Sequence, residues 1–324
     1  MAFRLRIGTR PSALALAQSE IVKRRLASTL AQLDIEIVPI STSGDKMTTA
    51  SLARIGGKGL FIRELEQALA DGRIDLAVHS MKDLPAIIPA GFRIAAVPER
   101  ENPRDALITR AGSGWNSLAP HARLGTSSTR RRLQALRLRP DLEVLPLRGN
   151  VDTRLRRLAA GDFDAIILAM AGLKRLGRCD TSKPIELDEG DFVPSGGQGA
   201  LAIEARATRP IGDSAELEQA VATLNDARAL AEVTAERAFL ATIGASCVSP
   251  VGVKGSADGE MLRLRALLFS ADGATSLLDE IAAAYHLNIG ASAADDAPKD
   301  SAAVGTALGR RMLDHGAAEL IQRE

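Results

Sequence analysis

Within five positions the chain sets His79, Ser80, Lys82 and Asp83. A carboxylate beside an ammonium can hold a polar ligand and offset charge that develops on it. Leu76, Ala77 and Val78, just before them, read as a short buried strand, and Pro85 ends regular structure soon after. In an open α/β sheet, ligands bind outside the carboxyl ends of the strands, so these side chains stand where a ligand would be met. The spacing equally allows a solvated turn with Asp83 as a helix cap. His79 reads as a packed residue rather than a base.

Anion chemistry lies elsewhere in the chain. From 123 to 157, ten arginines stand against Asp141, Glu143 and Asp152, a local balance of +7 in a chain whose net charge is +1. Gly125-Thr-Ser-Ser-Thr-Arg-Arg131 joins the hydroxyls of Ser127 and Ser128 to the paired guanidinium groups of Arg130 and Arg131. Leu147-Arg-Gly-Asn-Val-Asp-Thr-Arg154 repeats that chemistry with Arg148 and Arg154. Guanidinium groups grip carboxylate or phosphate through two parallel hydrogen bonds. Arg10 and Ser12 form a third anion cradle between a first strand and a helix start, where Ser12 is also a natural cap. A solvated basic face or a nucleic-acid patch is the competing reading. Arginines at strand exits beside small residues suit small anions better than a duplex backbone. Aromatic residues make up 3%, which leaves few rings for stacking single-stranded bases.

The elements that must position these groups alternate. Strands are expected at 4–8, 35–40, 76–78, 92–97, 142–147, 165–169 and 200–205, and helices at 12–30, after Lys58, and at 151–160. The first helix should turn Leu14, Ala17, Ile21 and Leu26 inward, and the second Phe61, Leu65, Ala68 and Leu69. Alternation of this kind means α/β architecture with mainly parallel sheets covered on both faces. Residues 41–57, rich in Ser, Thr, Gly and Asp, are a candidate lid. The run Gly56-Gly-Lys-Gly59 lacks the spacing of a phosphate-binding P-loop. From 216 the pattern becomes α+β: a helix at 227–243, strand pieces at 251–254, 262–269 and 280–284 with Gly255 as a turn, a surface loop at 288–300, and a closing helix at 304–321. Prolines at 98 and 103 suggest a crossing between domains.

The remaining features exclude more than they assign. Cys179 and Cys247 are the two cysteines; they form no CxxC and no cluster with histidine at metal-ligand spacing, so no metal is expected. Cys179 reads as a small packed residue, whereas Cys247, in Ala245-Ser-Cys-Val-Ser-Pro250, could serve as a covalent attachment point. No apolar run reaches the roughly 18 residues of a membrane span, and the N-terminus lacks a signal-peptide pattern, so a cytoplasmic protein without membrane contact is expected.

Taken together the motifs resemble one family, porphobilinogen deaminase (hydroxymethylbilane synthase). The resemblance rests on Arg6-Ile-Gly-Thr-Arg-Pro-Ser12, Gly56-Gly-Lys-Gly-Leu-Phe61, Ala77-Val-His-Ser-Met-Lys-Asp-Leu-Pro85, Arg104-Asp-Ala106, Gly125 to Arg131, Arg148-Gly-Asn-Val151, Ala171-Gly-Leu-Lys-Arg-Leu-Gly177, Gly197-Gln-Gly-Ala200 and Thr234-Ala-Glu-Arg-Ala238. Departures are Ser195-Gly196, Asp226 and the looser surroundings of Cys247. The resemblance implies two lobes like those of a periplasmic binding protein plus a smaller α+β domain: 1–98 with a returning segment 195–215, then 99–194, then 216–324. It implies a dipyrromethane cofactor joined by a thioether to Cys247 and contacted by Lys82, Ser128, Arg130, Arg131 and Arg154. Four porphobilinogen units would be added head to tail, each losing ammonia, and the tetrapyrrole then released by hydrolysis. Asp83 would offset the azafulvene cation, while Arg10, Ser12, Lys58, Ser127, Arg148, Arg175 and Gln198 would meet substrate. A monomer with a small-molecule substrate and no nucleic-acid partner is implied. A two-lobed dicarboxylate-binding protein is the alternative from another class.

Overall fold

The computed structural model describes residues 3–30, 33–42, 62–110, 112–246, 249–286 and 299–321. Residues 43–57 of the expected lid, Lys58, Phe61, Cys247 and most of the expected loop 288–300 lie outside the described residues.

Two five-stranded sheets share one plan. The first has the order β2-β1-β3-β10-β4, built from β1 (Phe3–Thr9), β2 (Leu33–Pro39), β3 (Leu76–Ser80), β4 (Phe92–Ala96) and β10 (Leu201–Arg206). The second has the order β7-β6-β8-β5-β9, from β5 (Asp105–Thr109), β6 (Arg123–Gly125), β7 (Glu143–Leu145), β8 (Ala165–Ala169) and β9 (Ile185–Glu186). In each, four strands share a direction and one runs against them: β10 in the first, β5 in the second. The sheets are therefore mainly parallel, as expected of strand–helix alternation. Both opposed strands follow a passage of the chain from one sheet to the other. The end of β3 therefore lies beside the start of β10, where Leu201 faces Ser80.

Local sequence explains the elements that carry the site. Ser12 Oγ accepts from the Ala15 amide (3.3 Å) and opens the helix Ala13–Ala27. Ser128 and Asn150 cap Thr129–Leu138 and Val151–Ala159 in the same way. Arg63–Ala70 begins with Glu64 and Glu66 in its first turn, which suits the helix dipole, and buries Leu65, Ala68 and Leu69. The face of Ala13–Ala27 differs from the expected one. Gln18, Ser19, Val22 and Leu26 are buried, while Leu14, Ala17 and Ile21 are half-buried. This helix also packs against Met170–Arg175 below the second sheet, so its apolar residues serve two neighbours.

The C-terminal part is a three-stranded antiparallel sheet, β11 (Val251–Asp258), β12 (Met261–Phe269) and β13 (Ser276–Ala284), against the helices Ala227–Thr242 and Lys299–Asp314. Two expectations are corrected here. Gly255 is not a turn: it lies within β11, where a Cβ would stand 2.9 Å from the Glu232 carbonyl oxygen, so glycine lets the strand close on the helix. The closing helix is broken, Lys299–Asp314 and then Ala317–Ile321, because Gly316 turns to a φ of 92°.

The junction is tied by one guanidinium. Arg100 Nη1 donates to Glu232 (3.0 Å) and Glu236 (2.7 Å), and its Nε donates to the Gln198 carbonyl (2.9 Å). Glu236 also accepts from the amides of Gly197 and Gly255. Both passages between the sheets are thus fastened to the helix Ala227–Thr242.

Candidate active site

The strand β3 delivers Ser80, and the 3-10 turn Met81–Asp83 follows at once. Met81 N–H donates to the Ala200 carbonyl (3.0 Å), which fixes the turn against the start of β10. Gly197 and Gly199 permit this closeness. Their φ angles are 74° and 89°, and a Cβ on Gly199 would stand 2.1 Å from the Glu101 carbonyl oxygen. Asp83 is exposed and lines a cavity of about 60 Å³ together with Arg10, Ser12, Gln18, His79 and Ser80.

On the other side of the turn Lys82 Nζ donates to Gln198 Oε1 (3.1 Å). Gln198 Nε2 in turn donates to the Pro103 carbonyl (2.7 Å) and to Asp105 Oδ1 (3.1 Å). Asp105, fully buried at the start of β5, holds both arginines of the first cradle. Arg130 Nη1 reaches Oδ2 at 2.7 Å, and Arg131 Nη2 reaches Oδ1 at 2.7 Å. Burial opposes charge on Asp105, but Arg130 and Arg131 outweigh it and hold the carboxyl well below its usual range. Burial lowers the Arg130 guanidinium, with Asp105 working against that shift.

Burial outweighs the counter-ions that the described residues offer to Lys82, Arg154 and Arg175. Burial, then Arg131, brings the Lys82 ammonium down to about 8, against the opposing pull of Asp83 and Asp105. Burial, then Arg131, lowers Arg154 to about 10; its Nε donates to the Gly149 carbonyl (2.8 Å). Arg175 is lowered by burial to about 10, with Glu101 opposing, and donates to the Gly199 carbonyl (2.6 Å). Arg148 is half-buried, and its side chain makes no hydrogen bond or ion pair among the described residues. Desolvated cations without carboxylate partners are the chemical complement of a ligand bearing several acidic groups.

The structure therefore gathers the expected residues in two sets. Arg10, Ser12 and Asp83 share a cavity wall; Lys82, Gln198, Arg130 and Arg131 share one hydrogen-bonded chain through Asp105. Ser127 Oγ donates to the Leu147 carbonyl (3.0 Å), and Ser128 caps its helix, so both hydroxyls have local work as well. Not all of the basic segment faces a ligand: Arg123 pairs with Asp164, Arg139 with Asp141 and Arg157 with Asp162. Cys179 is a half-buried free thiol raised by burial. A larger open cleft, about 810 Å³, lies at the opposite end of the first sheet beside Arg6, Asp75 and Arg206, and none of the candidate residues lines it.

Sequence reasoning passed over three acidic groups. Asp105 was visible in a motif but without a role. Glu204 occupies an ordinary strand position, yet its Oε2 lies 2.9 Å from His79 Nε2. Glu236 lies mid-helix, within the motif Thr234 to Ala238 but likewise without a role. Each has partners far away in sequence, and no local signal points to them.

Comparison with known proteins agrees with this chemistry. The family model described as "Porphobilinogen deaminase, dipyromethane cofactor binding domain" matches residues 5–211, and "Porphobilinogen deaminase, C-terminal domain" matches 230–314. Porphobilinogen deaminases of Syntrophus aciditrophicus and Chromobacterium violaceum are 42% and 43% identical, covering 98% and 97% of this chain and 98% and 96% of those proteins. That of Roseiflexus sp. is 48% identical over 82% of this chain and 86% of its own length. Among solved structures, a putative periplasmic sulfonate-binding protein from Methylobacillus flagellatus is 12% identical, with a TM-score of 0.39, over 69% of this chain and 67% of that one. A probable amino-acid ABC transporter extracellular-binding protein from Bacillus subtilis is 12% identical, with a TM-score of 0.39, over 68% and 91%. The counter-ion-poor cations Lys82 and Arg154 fit a dipyrromethane cofactor, whose pyrroles carry carboxylates. By its sequence along nearly its whole length, this chain belongs to the porphobilinogen deaminase family.

Proposed function

We propose that this chain joins four porphobilinogen units head to tail, losing one ammonia per addition, on a covalently held dipyrromethane primer, and releases hydroxymethylbilane by hydrolysis. One observation supports the reading above the others: the Asp83 carboxylate stands at the strand exit between a cavity edged by Arg10 and Ser12 and the cationic chain that begins at Lys82.

When the C–N bond of the aminomethyl group breaks, its electron pair leaves with ammonia and positive charge spreads over the ring and methylene. Asp83, fixed in the Met81–Asp83 turn, offsets that charge as it forms, and accepts from the pyrrole N–H. Lys82, Ser128, Arg130, Arg131 and Arg154 hold the cofactor's carboxylates, and Cys247 is its attachment point. When bound, the dipyrromethane supplies the free end to which units are added. Arg10, Ser12, Lys58, Ser127, Arg148, Arg175 and Gln198 hold the acetate and propionate groups of incoming units. Three domains do this work: 1–98 with 195–215, 99–194, and 216–324, the last carrying Cys247. The protein acts as a monomer in the cytoplasm.

The test is to incubate purified protein with porphobilinogen and measure ammonia and linear tetrapyrrole together. Four ammonia per hydroxymethylbilane is expected. Binding of porphobilinogen without turnover would favour the solute-binding alternative instead.

A further inference from the structure

His79 and Glu204 form a buried pair behind Asp83. Their side chains are 4% and 0% exposed, and Nε2 lies 2.9 Å from Glu204 Oε2. The pair is built across neighbouring antiparallel strands, where Ala202 faces His79 and Glu204 lies two residues on, on the same side. Glu204 Oε1 is buried without a hydrogen-bond partner. A half-satisfied buried carboxylate is costly and calls for an explanation. His79 Nδ1 makes no hydrogen bond among the described residues and is not among their fully buried unpartnered atoms. The residue also contributes to the wall of the cavity that Asp83, Arg10 and Ser12 line.

The 2.9 Å contact needs one hydrogen between the two groups. Opposite an ionised Glu204, which only accepts, Nε2 donates and Nδ1 keeps its lone pair. We propose, on the basis of the polymerising function above, that His79, oriented by Glu204, is the base that takes the proton released at each coupling. As two units join, π electrons of the receiving ring form the new C–C bond to the methylene. The C–H bond at that α carbon then breaks, its electrons restore the aromatic ring, and the proton goes to Nδ1. The imidazolium is held by Glu204, whose unpartnered oxygen adds negative potential. The proton then passes to water and to the ammonia already released, giving ammonium. Asp83, needed as an anion beside the cation, is left ionised.

Other charges bear on the pair. Glu66, on the helix Arg63–Ala70, is pushed up by burial and then by Glu204, with His79 opposing. The field of Glu204 also reaches Arg237 on Ala227–Thr242. Asp83 and Arg10 face it across the cavity.

The first test needs no turnover. Nitrogen-15 NMR of histidine-labelled protein, with the His79 signals identified by their loss in His79→Gln, should show Nε2 protonated and Nδ1 bare at pH 8. A proton on Nδ1 there would overturn the proposal. The second test uses porphobilinogen deuterated at its free α carbon. His79→Gln should lower kcat by about 10²–10⁴-fold and expose a primary isotope effect, while intact mass still shows the attached primer. Glu204→Gln, whose amide can donate to Nε2 as well as accept from it, should bring a share of His79 into the Nδ1-protonated tautomer in the nitrogen-15 spectrum. Wild-type kcat in His79→Gln would refute the role. A wild-type protein lacking the primer mass would instead sink the functional reading, leaving the tautomer result standing.

Discussion

Arg131 places both Nε and Nη2 on a single oxygen of Asp105, at 2.9 and 2.7 Å, while Arg130 takes the other. The carboxylate is the counter-ion of a cationic wall and sits where β5 begins in the second sheet. Asp105→Asn would leave two buried guanidinium groups uncompensated and should cost about 3–5 kcal/mol of stability by urea unfolding. Because the folded carboxyl is held low, its contribution is present above about pH 4. It is lost as pH falls through the folded value, so the wild type should lose stability over that acid range more steeply than the variant.

Lys82 sets a limit on the alkaline side. Its ammonium is down at about 8, so the cation that attracts substrate or cofactor carboxylate is lost as pH rises through that value. kcat/KM for porphobilinogen should therefore fall above about pH 8. Lys82→Arg should move that limb upward, since guanidinium stays protonated, and Lys82→Met should lower kcat/KM throughout and remove it.

Asp83→Asn keeps the shape of the turn and removes the charge. It should reduce kcat by about 10²–10³-fold with a small change in KM. Steady-state rates in variants that retain the primer mass check this. An unaffected kcat would remove Asp83 from the chemistry.

Gly199 holds the passage from the second sheet back to the first. Gly199→Ala would place a methyl against the Glu101 carbonyl at a positive φ, and should cost about 1–3 kcal/mol. The backbone shift that relieves this clash would carry the carbonyl that Arg175 donates to out of place, and should raise KM as well.

Much of this was legible in the sequence, and the reason is locality. Strand β3, its exit residues and the Ser12 cap depend on neighbours within a few positions. The plan of alternating strands and helices follows from periodicity. What was hidden depends on partners brought together by the fold. That Arg130 and Arg131 share Asp105 was hidden, because the acid lies 25 and 26 residues back and gave no sign of aiming at them. Glu204 looked like one polar position in an apolar strand, since its histidine lies 125 residues away. Gly255 reads as a turn from composition, whereas a helix pressing on the strand is what demands it. The inward face of Ala13–Ala27 differs from its periodicity because the helix packs on the first sheet and also on the helix Met170–Arg175.

The account turns on a primer attached at Cys247. Intact mass spectrometry of the purified protein is the most direct measurement. The expected result is an addition of two pyrrole units to the full-length chain, absent from Cys247→Ala. An unmodified protein that turns over porphobilinogen, or an addition that persists in Cys247→Ala, would contradict it.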